Sequence, residues 1–281
     1  MRREHIHLDL YPNYPPLDNT RPGQRATHPT PADFQAAEEL ILKDFSLISY
    51  GRLALYECPP KADPNTNPEV DPSPPEPSAV TNESGKPPKP EKPKCTFIAY
   101  IQFTRSEDLS EEDKNDLDFI TTFLHDSTRF VNPVDLIHKI FRGKMWTIGW
   151  RKSQTRGEVA GRYIDTAGIT QNPLAYLDKL INGISASDII HKLFYSIADA
   201  AVDAANVLLT SLGLPGYCDP NLKRSNNNCF ASNLAFTRDE FSNRPHCDDD
   251  KTKNAFLLLS NINREDGTIA LAGDKDSTFT E

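Results

Sequence analysis

The chain has 281 residues, 37% of them hydrophobic and 25% charged, enough to bury one sizeable core. Its formal net charge of -9 argues against a protein that coats nucleic acid indiscriminately, because phosphate neutralisation supplies nearly all such binding. The five cysteines (Cys58, Cys95, Cys218, Cys229, Cys247) are odd in number and form no CxxC pair, which points to reduced thiols rather than a disulfide framework or a zinc site.

Residues 1–31 are rich in Pro, Asn, Arg and Tyr and lack hydrophobic periodicity, so they read as a loosely ordered arm. They start basic but contain no apolar h-region, and no signal peptide is expected. No uninterrupted apolar run approaches a membrane span, so no transmembrane helix is expected and an intracellular location follows.

Residues 32–281 read as one domain. Residues 32–42 suit a short helix. Residues 45–56 (FSLISYGRLALY) and 95–104 (CTFIAYIQFT) have strand-like patterns. Between them, residues 59–94 hold 12 of the chain's 23 prolines. That composition buries no core and favours solvated, extended backbone, so it predicts a disordered insert between neighbouring strands.

Ser110 opens a helix with capping-box spacing to Asp113, and Leu117, Ile120, Phe123 and Leu124 supply its apolar stripe. Asn132-Pro133 predicts a second short helix through Ile140, since proline suits a first helical turn. Residues 145–151 (MWTIGWR) and 159–164 (VAGRYI) predict a strand pair. The longest helix is predicted over 187–212, where Ile190, Leu193, Phe194, Ile197, Ala201 and Leu208 recur at helical spacing and Gly213 and Pro215 supply a stop. Strands follow at 229–236, around His246, at 256–262 (FLLLSNI) and at 268–271, with Gly267 in a hairpin turn between the last two. The order predicts an α+β fold in which a helical N-terminal half packs on a sheet.

Arg244-Pro245-His246-Cys247-Asp248 carries the clearest chemistry. On a strand, residues i and i+2 share a face, so His246 and Asp248 can converge on one metal ion. They make up two-thirds of the 2-His-1-carboxylate set that leaves positions open on non-haem iron. No His follows His246 in these 281 residues. The pattern is weak alone, since composition gives about half of one such pair by chance. The chain holds a second, His7-Leu8-Asp9, in a Pro-flanked arm with nothing to hold it. A zinc hydrolase is disfavoured: there is no HExxH and no third ligand at suitable spacing.

From Lys139 to Arg162 there are seven basic residues and one acidic one. Lys144, Arg151, Lys152, Arg156 and Arg162 are candidates for contacts to nucleic-acid phosphates. The plainer reading of the same stretch is a solvated surface.

Residues 230–270 (FASNLAFTRDEFSNRPHCDDDKTKNAFLLLSNINREDGTIA) resemble the core of the Tet-like 2-oxoglutarate- and Fe(II)-dependent oxygenases, in the Tet/J-base-synthase-like branch found in fungi. Residues 101–133, MWTIGWRKS at 145–153 and GRYI at 161–164 resemble that branch's N-terminal region, so the similarity runs from about residue 45 to 271 with the insert as an interruption. The resemblance implies a double-stranded β-helix (a jelly-roll, cupin-like core) with a helical N-terminal support. It implies Fe(II) and 2-oxoglutarate as cofactors, with His246 and Asp248 as two iron ligands. It implies oxidation of a methyl group on a base such as 5-methylcytosine, hence methylated nucleic acid as partner and a nuclear location if that substrate is DNA. The family takes a third ligand, a His, and a basic residue for the cosubstrate from strands further downstream. His125, His138 and His191 lie on predicted helices and Arg264 in a turn, so none replaces them. The expectation is therefore a C-terminally incomplete oxygenase, inactive as given; the alternative is a catalytically dead remnant that serves as a binding module or has no function. Trp146 and Trp150 are expected to pack in the core rather than to stack on a base.

Overall fold

The computed structural model describes residues 39, 50–57, 95–134, 143–152, 156, 160–239, 241 and 251–270. The N-terminal arm, nearly all of the helix expected at 32–42, the insert at 59–94, His138, His246 and Asp248 lie outside the described residues. The chain divides into two compact units, Ile48–Arg105 and the remainder.

In the smaller unit, the two strands expected on either side of the insert pair with each other. β1 (Gly51–Glu57) runs antiparallel to β2 (Thr96–Phe103), from Gly51↔Phe103 to Glu57↔Thr96, with a bulge between Leu55 and Tyr56. Tyr56 and Phe97 meet edge to face with ring centroids 5.6 Å apart, a favoured aromatic geometry. Cys95, just before β2, is disulfide-bonded, which corrects the expectation of reduced thiols at that position. Spacing along the sequence could not reveal this, because strand pairing sets which backbone ends meet. Cys218 and Cys229, in the larger unit, are free, as expected, and both are buried.

The larger unit begins with α1 (Glu111–Ser127). Ser110 caps it from an extended conformation, its hydroxyl accepting from the Asp113 N–H at 3.1 Å and donating to the Asp113 carboxylate at 2.6 Å. Glu111, Glu112 and Asp113 put negative charge on the positive end of the helix dipole. Ile120 and Phe123 are buried, as the apolar stripe predicts.

The second short helix expected from Pro133 does not start there. The Val134 N–H instead donates to the Met145 carbonyl at 2.8 Å, which holds this backbone against the next strand; residues 135–142 lie outside the described residues.

β3 (Lys144–Lys152) is the central strand of an antiparallel sheet of order β4–β3–β5, with β4 (Ala160–Arg162) and β5 (Asn233–Arg238) at its edges. Trp146, Thr147, Ile148, Gly149 and Trp150 are buried in succession, so both faces of β3 are covered. β5 keeps the period of two: Leu234 and Phe236 turn inward while Asn233, Ala235 and Thr237 are exposed. The strand expected from Cys229 starts four residues later. Before it, the Ala231 and Ser232 carbonyls are taken by the Tyr217 and Trp150 N–H groups at 2.9 and 2.8 Å.

α2 (Thr166–Gln171) is capped by the Asp165 carboxylate, which accepts from the Ala167 N–H at 3.0 Å. α3 (Pro173–Ser211) starts well before the expected 187, with Pro173 in its first turn. The early part escapes a core-stripe reading because Leu174, Leu177, Ile181 and Ile184 are exposed there. The helix kinks at Ala198 (φ -153°, ψ 49°), where the Asp199 carboxylate accepts from the Ala200 N–H at 2.7 Å and gives that donor a partner. By length and composition α3 could cross a bilayer, contrary to the expectation from uninterrupted apolar runs. Ala186, Ile190, Phe194, Val202 and Ala205 lie in the same buried cluster as Trp146 and Ile148 of β3, and a core-facing stripe gives a helix that composition without any membrane. Lys192 of α3 ties back to α1 through Glu112 at 2.5 Å and Asp116 at 2.8 Å.

Residues 256–262, expected as a strand, have no ladder partner among the described residues. A single bridge, Ile262↔Ile269, closes the hairpin around Gly267, and Leu257 and Leu259 are 76% and 80% exposed. A strand needs a neighbour to satisfy its N–H and C=O groups, and β-rich composition does not supply one. The mixture of helices and strands is α+β; the described sheets are small and do not form a double-stranded β-helix.

Candidate functional site

The segments before and after the His246 motif are both anchored in the larger unit. β5 ends at Arg238, paired with Lys144 of β3, and Asp239 follows with φ 63°. The Arg238 guanidinium lies 3.1 Å from Nδ1 of His125, 3.2 Å from the Asp239 carboxylate and 5.5 Å from the centre of the Trp146 ring. Trp146 stacks on Phe236 across the strands at 5.7 Å. On the far side of the motif, Phe256 packs edge to face on Phe194 at 5.2 Å and on Phe230 at 4.9 Å. The Ile269 N–H donates to the Asp118 carboxylate at 3.0 Å, and Arg264 reaches Asp239 at 3.6 Å.

His246 and Asp248 themselves lie outside the described residues, and no three His, Cys, Asp or Glu side chains come together among those that are described. The described residues alone therefore do not fit an iron site. His125 is engaged by Arg238, and His191 stacks on Tyr195 at 5.0 Å, so both serve the packing of their helices.

The basic candidates do not form one patch. Lys144 and Lys152 end β3, about 26 Å apart at the ordinary strand rise. Trp150 pairs with Arg162 and Arg151 with Gly161, which puts Arg151 and Arg162 on opposite faces of the sheet. Arg151 lies over Tyr163 at 5.6 Å; Arg162 lies over Trp150 at 5.2 Å, facing the core. Arg156 is exposed in the connection between β3 and β4. Trp146 and Trp150 are 4% and 8% exposed and pack in the core, as expected.

Behind Arg162 lies a polar cluster that the sequence did not announce. Lys179, in the second turn of α3, lines the same cavity as Arg162, Tyr217 and Cys218. Burial, and then the Arg162 charge, lower Lys179 to about 8. Burial holds the Tyr217 phenol well above its ordinary value, so it stays protonated. The neighbouring Cys229 sulfur, and then burial, push the Cys218 thiol up, while Cys218 pulls Cys229 down; the Cys229 thiol donates to the Ala231 carbonyl at 3.4 Å. The loop itself is built around buried Asp219, whose carboxylate accepts from the Gly216 N–H at 2.6 Å and the Ser225 N–H at 3.0 Å. The Asp219 carbonyl accepts from Trp150 Nε1 at 3.2 Å. Lys179, Tyr217 and Cys218 stand 17 or more positions from Arg162, and nothing in local spacing marks their convergence.

A family model described as the Tet-like 2OG-Fe(II) oxygenase superfamily matches residues 110–279. The match spans more than half of the chain, from α1 through the His246 motif, and the chain belongs to this superfamily. Membership implies dependence on Fe(II) and 2-oxoglutarate. No curated protein and no solved structure matches the chain.

Proposed function

We propose that this chain carries an Fe(II)- and 2-oxoglutarate-dependent dioxygenase domain that oxidises a methyl group on a nucleic-acid base of the 5-methylcytosine type. The observation that carries the proposal is the position of His246 and Asp248: they lie inside the span matched by the family model, shortly after β5. Their spacing suits two ligands offered from one strand face. The fold that goes with this reading is a double-stranded β-helix, with β3, β4, β5 and residues 251–270 among its parts.

The chemistry supplied by iron and the cosubstrate is oxidation of a methyl group by dioxygen. The chain's own residues hold the metal through His246 and Asp248, and a base must leave its stack to reach them. Arg151, Lys152 and Arg156, at the outer end of β3 and beyond it, are the first candidates to meet phosphates; Lys144 and Arg162 are the others. A nuclear location follows if the substrate is DNA.

Residues 1–281 hold no His after His246, so they supply two ligands of three. Fewer ligands weaken metal binding, and negligible turnover is expected from this chain by itself. A second reading rests on the same ligand count: a catalytically dead member that binds without turning over.

Added imidazole together with guanidinium, which stand in for the third His and for the cosubstrate's basic residue, separates the two. With Fe(II), 2-oxoglutarate and a 5-methylcytosine oligonucleotide, the first reading predicts hydroxymethylcytosine that appears on adding both and disappears in His246→Ala. Absence of product at every concentration of the pair supports the second.

A further inference from the structure

We propose that the first half of α3 is a dimerisation surface that takes a second copy of this chain in antiparallel, two-fold packing. The proposal goes beyond the iron-dependent reading and uses neither His246 nor Asp248.

Leu174, Leu177, Ile181 and Ile184 are 77%, 52%, 57% and 46% exposed. At 3.6 residues per turn they fall within about 80° of one another, on one face of the helix. Gly183, Ala186 and Ile190 are buried and lie on the opposite face, with Lys179, which lines the cavity behind Arg162. This half of α3 therefore has two apolar faces, and its own chain covers one of them. Apolar residues on both faces are the pattern of a helix that is covered on both. Aliphatic side chains scattered singly on a surface need no explanation, but four in one stripe over three turns do.

The spacing of the four points to the occupant. They stand five and two positions before Lys179, and two and five positions after it. The stripe is thus symmetric about a point on the exposed face opposite Lys179. A two-fold axis through that point lays the stripe on its own copy. Leu174 then meets Ile184 of the second copy and Leu177 meets Ile181, each contact made twice. Such self-complementarity is what a closed two-fold interface requires, and a dissimilar partner would not need it. Eight aliphatic side chains leave water together. The patch is on the order of 400 Å² per copy, about half of what each side of a standard interface buries, so a micromolar dimer is expected. A bilayer fits less well. The exposed polar residues beside the stripe are Asp178, Asn182, Ser185 and Asp188, with no Lys or Arg to meet lipid headgroups.

The test is sedimentation equilibrium of the 281-residue chain over a dilution series from millimolar to sub-micromolar. The wild type should shift with concentration from its 31.5 kDa monomer towards twice that mass. Leu177→Lys and Ile181→Glu, each alone, should keep the wild-type far-UV circular dichroism and weaken the dimer by roughly tenfold or more, since each puts unpaired charge in the interface. An equimolar mixture of the two variants should dimerise better than either, because the ammonium introduced at position 177 of one copy faces the carboxylate introduced at position 181 of the other. A wild type that stays monomeric, a variant that dimerises as the wild type does, or a variant that unfolds because its side chain packs within its own chain overturns the proposal. A mixture no better than its parts overturns the two-fold packing. Flotation of the wild type with phosphatidylcholine vesicles, lost in Ile181→Glu and without a dimer in solution, assigns the stripe to a bilayer instead.

Discussion

Trp150 and Arg162 are cross-strand partners of β3 and β4, and the guanidinium lies 5.2 Å from the centre of the indole ring. The indole N–H also donates to the Asp219 carbonyl at 3.2 Å, so one side chain ties the sheet edge to the loop after α3. Trp150→Ala removes the ring, the hydrogen bond and the support for Arg162. A loss of about 3–5 kcal/mol in unfolding free energy is expected, measured by urea titration. Trp150→Phe should cost less, because it keeps most of the packing.

Asp219 is the polar centre of that loop. In Asp219→Ala the Gly216 N–H, the Ser225 N–H and the Ser225 hydroxyl all lose their acceptor. Only the Gly216 N–H is buried, and the exposed Ser225 groups can turn to water, so a loss of roughly 1–3 kcal/mol is expected for the one buried donor left unpaired. Asp219→Asn keeps one acceptor oxygen and should fall between. Chemical denaturation of the three proteins in parallel gives the order.

Gly149 and Gly213 both have positive φ, 100° and 62°, but their surroundings differ. A Cβ at Gly149 would stand 2.5 Å from the Ser232 carbonyl oxygen and 2.7 Å from Tyr217 Cβ, whereas nothing lies within 4 Å at Gly213. Gly213→Ala should cost about 1 kcal/mol, the price of a left-handed alanine. Gly149→Ala should cost several times more, because the backbone leading into β5 and the loop that carries Tyr217 must both shift. Equal midpoints for the two variants in thermal unfolding would contradict the described register.

Lys179 gives a pH signature. Its folded value, about 8, is below the ordinary 10.5, so the unfolded chain binds more protons between these limits. Stability contributed at this position therefore rises with pH across that window. The penalty is full below pH 8 and relieved by pH 10.5. In chloride, the stability advantage of Lys179→Met over wild type should be largest near pH 7 and shrink towards pH 10.5. A constant difference would show that Lys179 is not held in the cavity.

Much of the local structure was legible in the sequence. Ser110 and Asp113 marked the start of α1, MWTIGWR the central strand, and Gly213 and Pro215 the end of α3. Each of these signals acts within a few residues, through capping, alternation or a backbone constraint. What local pattern could not carry was the choice of partner. Pro133 suits a first helical turn, yet Val134 bonds to Met145 instead. FLLLSNI has strand composition, but its partner must come from elsewhere in the chain. Lys144, Arg151, Lys152 and Arg162 are neighbours in sequence, and the register of β3 and β4 spreads them over two faces and two ends. The reverse holds for Lys179 and Tyr217, far from Arg162 in sequence and beside it in the fold. The family was legible because it rests on several blocks in order, whereas the spacing of His246 and Asp248 alone was weak.

Metal binding by the 281-residue chain tests the central claim most directly. Cobalt(II), a spectroscopic substitute for iron(II), should bind at one saturable site, weakly, as befits two protein ligands. His246→Ala and Asp248→Ala should each abolish that binding while leaving the far-UV circular dichroism unchanged. Binding that survives both substitutions would contradict the assignment of His246 and Asp248 as metal ligands.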